Sequence, residues 1–195
     1  MTYSNLMKQM LMASIDELSK TPEIYAVHPD KDFTRNRKIS FHDFLLLLTM
    51  EDDCLREELY HFFGRSDETP SKAAFYHQRA KLKDGALWEL LQIFNQKLQP
   101  TLYRERYRLV ACDGSVADIF RDEKDTETYF EPNNKSPRSF NQIHINALYS
   151  ILDKKFLDVL VQPARKRNEY SAFCEMVDRV KNNCPTIYIA DRGYA

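Results

Sequence analysis

The stretch Tyr107-Arg108-Leu109-Val110-Ala111-Cys112, followed by Asp113-Gly114-Ser115, decides the fold of this chain. Its first six residues predict a short strand over 107–112, and Asp113-Gly114-Ser115 predicts the turn that ends it. A second stretch has the same form: Thr186-Ile187-Tyr188-Ile189-Ala190, then Asp191-Arg192-Gly193. Between them, residues 117–140 are polar and include Pro132, Asn133, Asn134 and Pro137, which predicts a long loop. Ile143–Ile151 alternates in the manner of a strand, Asp153-Lys154 suits a tight turn, and Phe156–Val161 is a further strand. Residues 143–161 therefore predict a hairpin. Phe173, Met176, Val177 and Val180 form one stripe of a helix over 168–182. The expected strands are 107–112, 142–150, 155–161 and 186–190. A strand–helix–strand crossover places the last of them parallel in the same sheet.

Upstream of residue 100 the period is helical. Leu6, Met7, Met10, Leu11, Ser14 and Ile15 recur at three- and four-residue steps. Ser40 suits an N-cap with Asp43 three residues on, before the apolar run Phe41–Met50. Residues 53–63 predict a helix with Gly64 at its C-cap. Thr69-Pro70 predicts an N-cap and a first-turn proline for a helix over 71–82. A last helix spans 84–98, and Pro100 closes the section. Two domains are expected, 1–100 and 101–195.

Composition narrows the function. Net charge is −1, from 28 basic and 29 acidic residues, so the chain is not cationic as a whole, though a local basic patch remains open. Its longest apolar run, Phe44–Leu48, falls far short of the ~20 residues a membrane span needs. The N-terminus lacks the basic-then-apolar order of a signal peptide. Cys54, Cys112, Cys174 and Cys184 are scattered without a C-x-x-C pair, which predicts reduced thiols in a cytoplasmic protein.

If the first and last strands are neighbours, Asp113 and Asp191 stand side by side at a spacing of 78 positions (191 − 113). Catalytic groups in α/β sheets gather outside strand carboxyl ends. Two adjacent carboxylates repel, and a divalent cation removes the conflict. Hard oxygen ligands suit Mg²⁺ or Mn²⁺. Each following glycine would let the backbone turn sharply. Taken alone, Asp-Gly and Asp-Arg-Gly equally suit plain turns after strands.

These residues sit within a wider pattern. Pro70-Ser71-Lys72-Ala73-Ala74-Phe75 with Gln78-Arg79-Ala80-Lys81-Leu82, then Arg108–Ser115, then His144 with Asn146-Ala147-Leu148-Tyr149 and Phe156-Leu157-Asp158-Val159, and finally Ile189-Ala190-Asp191-Arg192-Gly193-Tyr194, occur in this order. From about residue 36 onward the chain resembles the DDE transposases of bacterial insertion sequences. The resemblance implies an α+β or α/β protein, with an N-terminal helical domain followed by an incomplete RNase H-like mixed-sheet domain. It implies cut-and-paste transposition by metal-dependent phosphodiester cleavage and strand transfer. Asp113 and Asp191 would be the catalytic, metal-holding acids, with Mg²⁺ or Mn²⁺ as cofactor. The family's third acid, a Glu in a Tyr–Arg–Glu–Lys signature well beyond the second Asp, has no counterpart here. The expectation is therefore the N-terminal part of a transposase. The alternative is a non-catalytic DNA-binding remnant that occupies transposon ends, and a nuclease unrelated to transposition is a third reading. The partners expected are double-stranded DNA, at element ends and target, and a second copy in a homodimer, with no membrane.

Several residues are candidates for DNA contact. Lys72, Tyr76, His77, Arg79, Lys81 and Lys83 lie on or next to the helix predicted at 71–82, which with residues 53–63 resembles a helix-turn-helix. Arg165, Lys166 and Arg167 follow Pro163, and Arg192 follows the second aspartate. Basic side chains at such places contact phosphates and set register. A solvated helix face is the plainer account of the first group. His144 reads as a satisfied structural residue on its strand.

Overall fold

The computed structural model describes residues 2–35, 37–49, 54–134, 136–180 and 184–191. The chain forms two compact units, Met1–Leu98 and Gln99–Ala195. Together they give an α+β protein: helices first, then a mixed five-stranded sheet. Among the described residues, no helix is long and apolar enough to cross a membrane.

The first unit holds α1 (Tyr3–Leu18), α2 (Pro22–Tyr25), α3 (Phe41–Leu48), α4 (Leu55–Phe63), α5 (Lys72–Arg79) and α6 (Ala86–Gln96). Ser40 caps α3 as its spacing predicts. Its Oγ accepts from the Asp43 amide at 3.0 Å and donates to the Asp43 carboxylate at 2.7 Å. Gly64 closes α4 with φ of 82°. Residues 50–53, at the expected end of one helix and start of the next, lie outside the described residues. The helix expected over 71–82 is shorter, and its cap is Ser71, whose Oγ accepts from the Ala74 amide at 3.2 Å. Thr69 instead closes the preceding loop: its hydroxyl accepts from the Ser66 amide and donates to the Gly64 carbonyl. Beyond Ala80 the chain is drawn out of the helix by an isolated bridge between Leu82 and Ala26. Two apolar clusters fill the unit. Ile15, Leu18, Phe41, Leu45 and Leu90 make one, and Ile39, Phe44, Leu47, Leu59 and Phe75 the other.

The second unit holds β1 (Arg108–Ile119), β2 (Tyr129–Phe130), β3 (Phe140–Ser150), β4 (Lys155–Pro163), a short 3₁₀ turn (Ala164–Lys166), α7 (Glu169–Arg179) and β5 (Thr186–Ile189). β3 is central. It pairs antiparallel with β1 along one edge. Along the other edge β2 takes Phe140–Asn141 and β4 takes Ile143–Ser150. β5 lies parallel to β1, where the crossover places it. α7 covers one face. Its Ala172 and Met176 bury Val110 and Cys112 of β1, Leu148 of β3, and Leu157 and Leu160 of β4, with Phe173, Val177, Val180 and Tyr188 packed around them.

Two expectations change here. β1 does not stop at Cys112. It runs through Asp113-Gly114-Ser115 to Ile119, because β3 is long enough to pair with it down to Asn141. The cross-strand bond from Gln142 Nε2 to Asp118 at 2.8 Å belongs to this extension. The loop expected over 117–140 is correspondingly divided by β2. Buried Asn141 holds the segment before β2: its amide donates to the Asp122 carbonyl at 2.9 Å and to the Thr128 hydroxyl at 2.8 Å, and its Oδ1 accepts from the Asp122 amide.

The β3–β4 turn runs over 151–154 and includes Lys154 at φ of 53°. Asp153 is buried there and accepts from Ser150 Oγ at 2.7 Å and from the Thr101 amide at 2.8 Å. Burial alone would raise its pKa, but the hydrogen bonds from Ser150 and Thr101 and the charge of Lys155 outweigh it, so the carboxyl lies below its ordinary value. A lowered carboxylate pKa gives stability that is present above the unfolded-state value, about 3.9, and lost as pH falls through the folded one. We expect the β3 and β4 amides to lose hydrogen-exchange protection below about pH 4, and Asp153→Asn to flatten that pH dependence. An unchanged acid limb in the variant would remove Asp153 from the account.

Candidate functional site

Asp113 lies inside β1, directly after the buried Cys112. Val110 and Cys112 face α7, so alternation turns Ala111 and Asp113 to the opposite face, where Asp113 is exposed. Its Oδ1 accepts from the Gly114 amide at 2.8 Å, which orients the carboxylate along the strand.

The glycine beside it is required for space, not for a turn. A Cβ at Gly114 would stand 2.5 Å from His144 Cε1, 3.0 Å from His144 Nε2 and 3.4 Å from Asn146 Oδ1. His144, expected to be a satisfied structural residue, is only half satisfied: its Nδ1 is buried with no hydrogen-bond partner among the described residues. It is 2% exposed, and its Nε2 donates to Glu169 Oε1 at 3.0 Å. Beside it, Asn146 Nδ2 donates to Gln162 Oε1 at 3.3 Å, and the same oxygen accepts from the Asn168 amide at 3.0 Å. A polar layer from β3, β4 and the start of α7 therefore lies under the strand that carries Asp113. Sequence reasoning missed Glu169; its signal was an acid directly after the Asn168 cap of a helix.

The parallel ladder relates the two aspartates. Arg108 pairs with Thr186 and Ala111 with Ile189, a constant step of 78 (186 − 108). Asp113 and Asp191 differ by the same step. Each stands two residues past the last position of the parallel β1–β5 ladder, and both are exposed. Asp113 is thus not at a strand end, as the sequence suggests, but at the point where β1 loses its parallel neighbour.

The DNA-facing candidates fall into distinct places. Lys72, Tyr76 and Arg79, at helical spacing, share the exposed face of α5, opposite buried Gln78. His77 is exposed on its flank. Lys81 and Lys83 lie beyond the helix: Lys81 Nζ donates to Gln78 Oε1 at 2.7 Å, and Lys83 Nζ to the Ile24 carbonyl at 2.9 Å. Arg165 donates to the Tyr129 carbonyl at 3.1 Å and lies over the Phe130 ring, and Lys166 pairs with Glu127, so the turn after β4 is fastened to β2 and the segment just before it. Arg167 is exposed. Arg192 lies outside the described residues.

Residues 104–195 match the family model of the transposase DDE domain. Over these residues the C-terminal unit is similar to the transposase DDE domain. The matched region begins just before β1 and includes both aspartates of the shared step. No curated protein and no solved structure matches the chain. DDE transposases generally work on DNA with a divalent metal ion.

The donors present fit such an ion. Asp113 and Asp191 offer hard oxygens on an exposed face, and one Asp113 oxygen is already held by Gly114. Among the described residues no group of three or more His, Cys, Asp or Glu side chains could hold a metal. Mg²⁺ is commonly held by one or two carboxylates together with substrate phosphates, which matches this sparse set.

Proposed function

We propose that this chain acts in DNA transposition by metal-dependent phosphodiester cleavage and strand transfer. Asp113 and Asp191 are the metal-holding carboxylates of that site. The observation that supports the reading is the shared step of 78: Arg108 pairs with Thr186 and Ala111 with Ile189, and Asp113 and Asp191 differ by the same step. A divalent ion, when bound, activates an attacking oxygen and neutralises charge on the leaving oxygen of a phosphodiester. The chain's own part is positional. β1 holds Asp113 rigidly from both sides, by the β3 ladder and by the packing of Gly114 on His144. The Gly114 amide keeps one carboxylate oxygen in place and leaves the other turned outward. Water is the nucleophile for cleavage, and the freed 3′-hydroxyl for strand transfer. The exposed face of α5, with Lys72, Tyr76 and Arg79, and the exposed Arg167 supply contacts to duplex DNA.

The test uses the purified chain, Mg²⁺ or Mn²⁺, and duplex DNA carrying the sequence that flanks its gene. Loss of an outer-shell group already costs roughly 10–100-fold at metal sites, so Asp113→Asn or Asp191→Asn is expected to lower cleavage by about 100-fold or more while DNA binding persists. Cleavage that survives Asp113→Asn overturns the assignment. Binding without cleavage by the unaltered chain favours a non-catalytic occupant of transposon ends, and equal cutting of unrelated DNA points to a general nuclease.

A further inference from the structure

A hollow of about 310 Å³ opens in the helical unit beside the segment joining α2 to α3. Its walls carry Lys31, Arg35, Arg37 and Lys81, against a single acid, Asp30. A neighbouring hollow shares Arg37, Gln78 and Lys81, adds Lys38 and His77, and has no acid. Composition does not account for this clustering, because residues 1–98 carry 13 basic and 15 acidic side chains. Among the described residues, Lys31, Arg35, Arg37 and Lys81 have no carboxylate partner, whereas Lys38 pairs with Glu68 at 3.2 Å.

The cleft is built, not a loose cluster of surface charges. Asp32, 9% exposed, accepts from the His28 amide at 3.0 Å and is not among the residues that line the hollow. Phe33 stands edge-on to Phe41 at 4.8 Å and anchors the segment in the core. Gln78, 6% exposed, donates to the Ile39 carbonyl at 2.7 Å and accepts from Lys81 Nζ. The same ammonium lies 5.9 Å from the Phe33 ring centroid. Lys81 is thereby a fixed point charge, and Arg35 and Arg37 add guanidinium forks free to pair with phosphate oxygens.

We propose that this cleft holds the phosphate backbone of duplex DNA. The inference rests on the reading of the chain as a DNA-acting transposase, and it moves the principal contact from the exposed face of α5 to the opposite side of that helix. It brings in Lys31, Arg35 and Arg37, which none of the helix-based candidates included. The sequence signal was present in Arg35-Asn36-Arg37-Lys38, but nothing local shows that Lys81 completes the site.

Fluorescence anisotropy of a labelled duplex, titrated with the full chain across a salt series, tests it. Each phosphate contact contributes about 0.9 to the slope of log affinity against log salt. Arg35→Ala/Arg37→Ala is expected to reduce that slope by roughly 2 and affinity by about tenfold or more, with the helical circular-dichroism signal unchanged. Arg35→Lys/Arg37→Lys should keep most of the slope, because charge is retained. A double-alanine variant with the full slope overturns the proposal, as does a slope lost only in Lys72→Ala/Arg79→Ala. If the unaltered chain binds no DNA, the DNA reading itself fails. Tighter binding to a matched RNA duplex would replace DNA as the occupant.

Discussion

Replacing Arg179 by Met is expected to destabilise the C-terminal unit by about 3 kcal/mol. Asp158 of β4 has no exposed surface. Its Oδ2 accepts from Arg179 Nε at 3.0 Å and lies 2.9 Å from the second guanidinium nitrogen, while its Oδ1 accepts from the Val159 amide at 2.9 Å. Arg179 also donates to the Val159 carbonyl at 3.3 Å, so one side chain ties the last residue of α7 to β4. Methionine keeps the apolar stem and removes the charge. Asp158 is then left buried without the guanidinium, a change that typically costs about 3–5 kcal/mol. The low end applies because the arginine is 30% exposed and water reaches its side of the pair. Hydrogen exchange of the β3 and β4 amides reads the loss. Asp158→Leu/Arg179→Met should recover much of it, since an apolar pair leaves no charge to solvate. A single variant with wild-type protection would show that the pair contributes nothing.

Gly114→Ala is expected to destabilise β1 by about 1–3 kcal/mol, the usual cost of overpacking. The added carbon would meet the His144 ring at 2.5 Å, and the ring cannot swing away without leaving Glu169. Relief must come from a shift of β1, and that shift carries Asp113 with it. His144→Ala in the Gly114→Ala background removes the obstacle. The double variant should therefore be more stable than the sum of the two single losses predicts. Strict additivity would mean that the glycine serves no spatial purpose. A backbone-turn role makes a different forecast, in which the cost of Gly114→Ala is indifferent to residue 144.

The reading of Asp113-Gly114-Ser115 shows why local pattern ran out where it did. Asp and Gly favour turns by local hydrogen bonding and backbone freedom. Here the partner strand lies about thirty residues away in sequence, and its ladder to Ile119 overrides the local preference. β2 is hidden inside a polar stretch for the same reason: two residues become a strand only because Phe140 and Asn141 are there to receive them. Thr69 misled in the opposite direction. It has the right chemistry for a cap, but its hydroxyl is engaged by the loop between α4 and α5, and Ser71 takes the capping role.

Apart from α2, β2 and the 3₁₀ turn, the order of helices and strands, the Ser40–Asp43 cap and the apolar stripe of α7 are legible along the chain. These rest on periods of two and 3.6 and on caps within three residues, all legible along one chain. The parallel register of β1 with β5, the His144 ring beneath Gly114, and the meeting of Arg35 and Arg37 with Lys81 depend on the tertiary structure. Each joins residues about 30 to 80 positions apart. Such meetings follow from which strands pair and which helices pack, and those are set by burial summed over the whole core and not by any local propensity.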